Sequence, residues 1–246
     1  MEQQKLQAEG EAARVQLLRQ LDGSIIGHQH TPSTGGMRAV ARAQLPSTAG
    51  AVEFAVACWS AVGARTTESQ IHRQLASGLS CPVGFKNSTL GDVQVAVDAV
   101  LSASHSHIFP SVTKGGHSAI FSTTGNDDCH VILRGGKEPN FDAVSVQAAC
   151  DLLTKAGAPP RLMVDLSHAN SSKDHERQKV AGAAVAEQLK ASSQNVLGVM
   201  VESHLVAGNQ SLSDELTYGQ SITDACIGWD DTVELLSELA AAKAAL

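Results

Sequence analysis

The chain has 246 residues, of which 43% are hydrophobic and 17% are charged, and its formal net charge at pH 7 is −7. These values are typical of one large globular domain or two small ones. Because the balance is acidic and no run of Lys or Arg occurs, a nucleic-acid-binding surface or an anionic-membrane surface is not expected.

Residues 1–56 differ in composition from the rest of the chain. Residues 1–21 are polar and predict a helix, whereas residues 22–50 are rich in Gly, Ser, Thr and Pro. Such a composition is typical of loops rather than of regular strand–helix units. We therefore predict a divergent N-terminal segment over residues 1–56, helical and then loop-rich, followed by a second unit over residues 57–246.

From about residue 60, short apolar runs alternate with longer runs that have helical spacing. The short runs predict strands at 60–65, 81–86, 130–134, 162–168 and 197–202. The longer runs predict helices at roughly 68–77, 90–103, 142–156, 174–191 and 230–245. An insert over residues 107–126 predicts an added hairpin. Strands that are apolar throughout and are separated by helices form parallel sheets covered by helices, so the predicted class is α/β.

Each predicted strand ends in a residue whose side chain is useful in chemistry. These residues are Arg65, Lys86, Arg134, His168 and Glu202. Because the carboxyl ends of parallel strands meet on one face of the fold, we expect these side chains to converge. Asp224 follows the last predicted strand and is expected to join them.

Three of these residues, Arg65, Lys86 and Arg134, form what we call the cation group. A pocket with three cations in an acidic chain predicts a multiply charged anionic ligand, since Arg matches phosphate in a bidentate manner and Lys provides a point charge for a carboxylate. The pair Gly135–Gly136 follows Arg134 directly, and we expect it to bring backbone amides close to that ligand.

The other three residues, His168, Glu202 and Asp224, form what we call the acceptor triad. One imidazole and two carboxylates suit a divalent transition metal such as Mn²⁺, Fe²⁺, Co²⁺ or Zn²⁺. A metal next to an anion pocket suggests that the carbonyl of a second substrate is polarised.

Simpler interpretations exist for each residue taken alone. A single Arg or Lys at a strand end is more often a solvated charge, and a single buried His is usually a core group with satisfied hydrogen bonds. The pair His28 and His30 is a weak metal candidate in a polar loop. Three further residues are expected either near the site or in structural roles: Lys114, His117 and His130.

The five cysteines are scattered and form no CxxC pair, so reduced thiols are expected. The N-terminus has no apolar signal region, and no stretch of about 18 apolar residues occurs. Together these features predict a cytoplasmic protein.

Six strings resemble the class I 3-deoxy-D-arabino-heptulosonate-7-phosphate (DAHP) synthases. They are GARTTESQIHRQLASGLSCPVGFKN (63–87), HVILRGGKEPN (130–140), DLSHANSSK (165–173), GVMVESHL (198–205), GNQSL (208–212) and SITDACIGW (221–229). The resemblance implies a TIM-type (β/α) barrel in which strands 4–8 are recognisable and strands 1–3 are missing or remodelled. It also implies a transferase that condenses phosphoenolpyruvate with erythrose 4-phosphate, in the first step of the shikimate pathway to chorismate and aromatic amino acids.

The resemblance also implies roles for individual residues. Arg65, with the amide of Ala64, and Arg134 match groups that hold the phosphate of phosphoenolpyruvate. Lys86 matches the partner of its carboxylate, and Lys86 and His168 are the implied catalytic residues. The acceptor triad matches three of four metal ligands. An effector pocket for an aromatic amino acid has partial matches at Gly78, Leu79, Ser80, Phe109 and Ser111.

Some family motifs are not found in this chain. The GPCSIHD-type motif with the fourth metal ligand has its nearest counterpart in IIGHQHTP (25–32), and the KPRTT-type motif of the second strand is absent. These departures leave an alternative, a catalytically incomplete remnant that acts as a regulatory or interaction partner of a full-length synthase. A synthase that accepts a different aldehyde is a third reading. A homo-oligomer or an association with a full-length relative is expected.

Overall fold

The structure is a computed structural model that describes residues 59–112, 116–191 and 195–244. The predictions for residues 1–56, including His28 and His30, lie outside the described residues, as does Lys114. The described strands are β1 (Ser60–Val62), β2 (Val83–Lys86), β3 (Ile108–Val112), β4 (Ser118–Ser122), β5 (His130–Leu133), β6 (Leu162–Asp165), β7 (Val196–Met200), β8 (Val206–Asn209) and β9 (Gln220–Ser221). The described helices are α1 (Gln70–Ser77), α2 (Gln94–Ser104), α3 (Ala143–Lys155), α4 (Arg177–Lys190) and α5 (Trp229–Ala244).

A five-stranded sheet organises the described part of the chain. Its strand order is β1-β2-β5-β6-β7, and all four pairings are parallel. The predicted α/β class, the five predicted strands and the five predicted helices are therefore confirmed. In this sheet β1 and β7 are the outer strands.

All five predicted strands are longer than the observed ones, and the difference is largest for the two that were predicted to end at Arg65 and His168. The strand predicted to reach Arg65 ends at Val62, because the chain turns where the amide of Thr66 donates to Gly63 O at 2.9 Å. The strand predicted to reach His168 ends at Asp165, and His168 itself has a φ of 56°. Both functional candidates therefore lie on turns just past the sheet rather than on the strands.

The two faces of the sheet have different roles. Phe85, Leu133 and Val164 are fully buried and belong to the hydrophobic core, together with aliphatic residues of the helices. Strand side chains alternate between the two faces. Lys86 and Asp165, at the last positions of β2 and β6, therefore project from the face opposite to this core.

The predicted hairpin is confirmed as the antiparallel pair of β3 and β4. Phe109 stacks on Phe121 with the ring centroids 6.3 Å apart. At the base of the hairpin, the hydroxyl oxygens of Thr123 and Ser77 lie 2.7 Å apart, so the end of α1 and the hairpin are in contact.

The segment between β7 and α5 contains a second small pair of strands, β8 and β9, which the sequence did not predict. Gly208 and Cys226 exchange backbone hydrogen bonds of 2.8 and 3.1 Å. The fully buried Ile227 closes this segment against the core. The segment thereby brings Asp224 to the same end of the sheet as Glu202.

No helix among the described residues is long and apolar enough to cross a bilayer.

Candidate anion and metal site at the carboxyl ends of the strands

A buried ion pair lies at the centre of the site. The Nζ of Lys86 lies 2.8 Å from Oδ2 of Asp165, and the exposed fractions of the two side chains are 9% and 0%. Asp165 was not singled out by the sequence analysis, because it precedes the predicted strand end. One of the three predicted cations therefore has a fixed carboxylate partner within the protein.

Asp165 also orients His168. Nδ1 of His168 lies 2.9 Å from Oδ2 of Asp165 and 2.7 Å from the hydroxyl of Ser167. Since the Ser167 hydroxyl donates to Oδ1 of Asp165 at 2.7 Å, the imidazole Nδ1 is the donor to Asp165. In the neutral imidazole this tautomer leaves Nε2 with a lone pair, as in the carboxylate–histidine pairs behind metal ligands.

The charge of Asp165 is stabilised despite its burial. Burial alone would raise the pKa of the carboxyl, but the hydrogen bond from His168 and the ammonium of Lys86 lower the pKa to about 2. Asp165 is therefore ionised throughout the physiological range, which preserves both of its contacts.

Glu202 is held through its backbone by a residue that the sequence analysis did not identify. The fully buried side chain of Gln178, on α4, donates to Glu202 O at 3.0 Å and accepts from Glu202 N at 2.9 Å. A glutamine in the predicted helix 174–191 carries no local signal of this role. The contact fixes the chain just after β7, where the Glu202 carboxylate emerges.

The acceptor triad comes together as predicted. One ligand atom from each residue lies within 4.8 Å of the other two, and Nε2 of His168 is 3.6 Å from Oε1 of Glu202. Burial raises the pKa of Glu202, and a proton on the imidazole of His168 would oppose this increase. The negative charges of Asp165 and Asp224 raise it further. A lone pair and two carboxylates that face one another are a donor set suited to a divalent cation.

The remaining cations follow the two strands on either side of β2, the strand that carries Lys86. Arg134 comes directly after β5 and is half-buried, while Arg65 lies exposed on the turn after β1, next to the half-buried Ala64. Among the described residues, no carboxylate forms an ion pair with either guanidinium. Both Arg side chains are thus available to an anionic ligand.

The prediction that Gly135 and Gly136 offer their amides to a ligand is wrong. The amide of Gly135 donates to Oδ1 of Asn140 at 2.7 Å, and the amide of Gly136 donates to Glu138 O at 2.9 Å. The two glycines serve close packing instead. A Cβ on Gly135, which has a φ of +76°, would lie 2.8 Å from the backbone of Ala169.

His130 does not lie near this site. It begins β5 at the amino end of the sheet, where the indole Nε1 of Trp59 donates to its Nε2 at 3.1 Å. Burial lowers the pKa of His130 to about 4, so the imidazole is neutral. It lines a cavity of about 360 Å³ that also lies at the amino ends of the strands, with Pro82 and Arg161 among its walls. His117, which directly precedes the hairpin strand β4, is exposed.

The residues of the implied effector pocket lie on two neighbouring elements. Gly78, Leu79 and Ser80 follow α1 and are exposed, whereas Phe109 and Ser111 lie half-buried on one face of β3. The contact between Ser77 and Thr123 joins these elements. The effector role itself stays a prediction.

Comparison with known proteins places the chain in a sequence family. The profile of the DAHP synthetase I family matches residues 43–237. The Phe-sensitive phospho-2-dehydro-3-deoxyheptonate aldolase of Escherichia coli K12 is 60% identical over 184 residues, which cover 74% of this chain and 53% of that protein. The Trp-sensitive enzyme of the same organism is 50% identical over 186 residues, or 75% of this chain and 53% of that protein.

A solved structure is similar to this chain in both sequence and fold. The phospho-2-dehydro-3-deoxyheptonate aldolase of Francisella tularensis SCHU S4 superimposes with a TM-score of 0.75 and 53% identity, covering 76% of this chain and 55% of that one. The chain spans about half the length of the curated relatives that it matches.

Proposed function

The chain belongs to the DAHP synthetase I family, and on this premise we propose that it binds phosphoenolpyruvate and condenses it with erythrose 4-phosphate to DAHP and phosphate. This is a transferase reaction, the first step of the shikimate pathway to aromatic amino acids. One observation carries the proposal: Arg65, Lys86, Arg134, His168 and Glu202 lie at or just after the carboxyl ends of the five strands of one parallel sheet, and Asp224 lies next to the last two of them.

The cation group is assigned to phosphoenolpyruvate. Arg65 and Arg134 have no carboxylate partner among the described residues, so their guanidinium groups can hold the phosphate together with the amide of Ala64. The ammonium of Lys86 is almost fully buried, where its charge acts strongly on the substrate carboxylate. Asp165 fixes its position.

The acceptor triad is assigned to a divalent metal such as Mn, Fe, Co or Zn. The donor set fits, because Nε2 of His168 and the carboxylates of Glu202 and Asp224 converge and offer acceptors only. When bound, such an ion supplies a Lewis acid that polarises the aldehyde carbonyl of erythrose 4-phosphate. Asp165 orients the imidazole, and Gln178 holds the backbone of Glu202.

The reaction forms one carbon–carbon bond. C3 of phosphoenolpyruvate attacks the aldehyde carbon, water adds at C2, and phosphate leaves. The protein contributes by holding the two substrates in a fixed relative orientation and by placing positive charge against the phosphate that departs. Lys86 and His168 are the proposed catalytic residues.

The described sheet is proposed to be strands 4–8 of a TIM-type barrel, of which residues 57–246 form one portion. The structural similarity to the Francisella enzyme supports this assignment. Because β1 and β7 are outer strands in the described part of the chain, residues 1–56 or a second chain would supply the other strands. The proposed assemblies are a homo-oligomer or a complex with a full-length relative, in the cytoplasm. Gly78, Leu79, Ser80, Phe109 and Ser111 are the proposed effector residues.

A direct assay tests the proposal. The purified chain is incubated with phosphoenolpyruvate, erythrose 4-phosphate and Mn²⁺, and the loss of phosphoenolpyruvate and the release of phosphate are followed. We expect turnover that His168→Ala abolishes and that His72→Ala, a change of an exposed histidine on α1, leaves unchanged. A folded, metal-loaded chain without turnover would contradict the proposal and favour the catalytically incomplete partner.

A further inference from the structure

Three asparagines lie beside the loop that carries Arg134. Asn87 directly follows β2 and is fully buried, Asn170 follows β6 and is 1% exposed, and Asn140 is half-buried ahead of α3. We call them the asparagine cluster. The mechanism proposed above assigns them no role. Buried amides are hydrogen-bonded in folded proteins, so the partners of this cluster show what it holds.

Asn87 binds both sides of the backbone next to Arg134. Its Oδ1 accepts from the amide of Arg134 at 2.8 Å, and its Nδ2 donates to the carbonyl of Gly135 at 3.0 Å. A single primary amide therefore restrains the residues where the chain leaves β5. A primary amide can do this because it carries a donor and an acceptor in one planar group.

Asn140 and Asn170 extend these contacts to the next strand. Oδ1 of Asn140 accepts from the amide of Gly135 at 2.7 Å, and Oδ1 of Asn170 accepts from the amide of Asn140 at 2.8 Å. The Nδ2 of Asn170 donates to Leu133 O at 3.1 Å and to Asp165 O at 2.7 Å. The cluster thus joins the carboxyl ends of β2, β5 and β6.

Close packing at Gly135 and Gly136 also restricts the backbone of this loop. A Cβ on Gly135 would lie 2.8 Å from the amide nitrogen of Asn170, and a Cβ on Gly136 would lie 2.3 Å from Cα of Gly91. The loop is therefore held between the segments that follow β2 and β6. Arg134 has no carboxylate partner among the described residues, so its orientation depends on its backbone and on the ligand.

We propose that the asparagine cluster positions Arg134 for bidentate contact with the phosphate, so that its members are positioning residues for anion binding. This inference rests on the proposed function, because it takes Arg134 to be a phosphate ligand. Arg is sensitive to orientation, since two parallel N–H···O contacts require a fixed direction of the guanidinium plane. Loss of one support of the loop should therefore weaken binding of the anion without any change in charge.

The test is a double-mutant cycle on phosphoenolpyruvate affinity, measured by calorimetry in the presence of Mn²⁺. The variants are Asn140→Ala, Arg134→Gln and the combination of the two. We expect Asn140→Ala to weaken phosphoenolpyruvate binding about tenfold, which is the effect of one lost hydrogen bond. In the Arg134→Gln background the same substitution should have less than a twofold effect, because it acts through Arg134.

The control is Asn126→Ala. Asn126 is 6% exposed and precedes β5. Its side-chain Nδ2 donates to Ala76 O at 3.1 Å and to Cys81 O at 2.9 Å. It therefore has the same kind of bonds without contact to Arg134. We expect this variant to lower the free energy of unfolding but to keep the affinity for phosphoenolpyruvate.

If Asn140→Ala does not fold, Asn140→Ser replaces it with the same expected result.

The outcomes separate the two proposals. Phosphoenolpyruvate binding that is absent, or that Arg134→Gln leaves unchanged, would overturn the anion site itself and the positioning role with it. Binding that Arg134→Gln weakens while Asn140→Ala has no effect, or an effect that is simply additive, would overturn only the positioning role. An equal loss of affinity in Asn126→Ala would do the same, since the effect would then reflect stability alone.

Discussion

Lys86 and Asp165 are separated by 79 residues in sequence, yet the Lys86 Nζ lies 2.8 Å from Oδ2 of Asp165. Both side chains are almost completely buried. A buried charge without its partner is costly, because it has lost its hydration and gained no counter-charge. Loss of either partner should therefore destabilise the fold. The same pair places an ammonium group at the site.

The first prediction concerns this ion pair. Lys86→Met and Asp165→Asn should each lower the free energy of unfolding by about 3–5 kcal/mol, and the double variant should lower it by less than the sum of the two. Urea denaturation monitored by circular dichroism measures these values. The exposed pair of Lys190 and Glu187, 2.6 Å apart, is the control, and Lys190→Met should change stability little. Additive effects of the two buried substitutions would contradict the predicted coupling.

The second prediction concerns the support of Glu202. Gln178→Ala should weaken Mn²⁺ binding about tenfold, since the residues that orient metal ligands commonly contribute a factor of this size or more. Gln188→Ala is the matched control, because Gln188 lies buried on the same helix but donates to Phe141 O, at 2.8 Å. Calorimetric titration of Mn²⁺ into each variant measures its affinity for the ion. Equal affinities in the two variants would contradict the proposed support of Glu202 by Gln178.

The third prediction concerns two glycines in the left-handed region. Gly135 has a φ of +76°, and its added Cβ would meet backbone atoms at 2.8 Å, whereas Gly157 has a φ of +78° with nothing within 4 Å. Gly157→Ala should cost about 1–2 kcal/mol of unfolding free energy, the penalty of the backbone conformation alone. Gly135→Ala should cost more, because the chain must also move away from Ala169 and Asn170.

The same pair of variants reports on the site. Only Gly135→Ala should impair binding of phosphoenolpyruvate, because the loop it distorts carries Arg134. Thermal unfolding and ligand titration of the two proteins provide both measurements. If the two variants lose the same stability and keep the same affinity, the loop is not packed as described.

The fourth prediction concerns pH. Burial lowers the pKa of His130 from 6.5 to about 4. Between these two values the unfolded chain binds a proton that the folded protein does not, so stability falls as the pH decreases from about 6.5 to about 4. The full shift corresponds to about 3 kcal/mol. The difference in unfolding free energy between the wild type and His130→Asn should therefore decrease over this range. A difference that does not change with pH would mean that the imidazole is not buried in its neutral form.

The sequence predicted the strands and the convergence of their ends because both depend on local patterns. Apolar runs followed by Arg134 or Glu202 can be recognised without any knowledge of tertiary contacts. Partners that are distant in sequence could not be predicted in this way. Gln178 meets Glu202 across 24 residues, and Asp165 meets Lys86 across 79, with no periodicity that marks either pair.

Gly135 illustrates a different limit. The sequence correctly indicates that a special backbone conformation follows Arg134, but a glycine is compatible with an amide facing a ligand and with close packing. The choice between the two depends on Asn140, five residues later, because its side-chain Oδ1 accepts the hydrogen bond from the Gly135 amide. Only the three-dimensional arrangement distinguishes these interpretations.

Binding of phosphoenolpyruvate by the cation group can be measured by calorimetric titration of phosphoenolpyruvate into the Mn²⁺-loaded chain. We expect saturable binding to the wild type, which Arg134→Gln weakens about tenfold or more, the effect of one lost charge-assisted hydrogen bond. Arg134→Lys should give an intermediate affinity, because it keeps the charge but not the bidentate geometry. Lys137→Gln, which removes an exposed positive charge three residues later, should leave the affinity unchanged. No binding to the folded wild type, or the same affinity in Arg134→Gln, would mean that the cation group does not bind phosphoenolpyruvate.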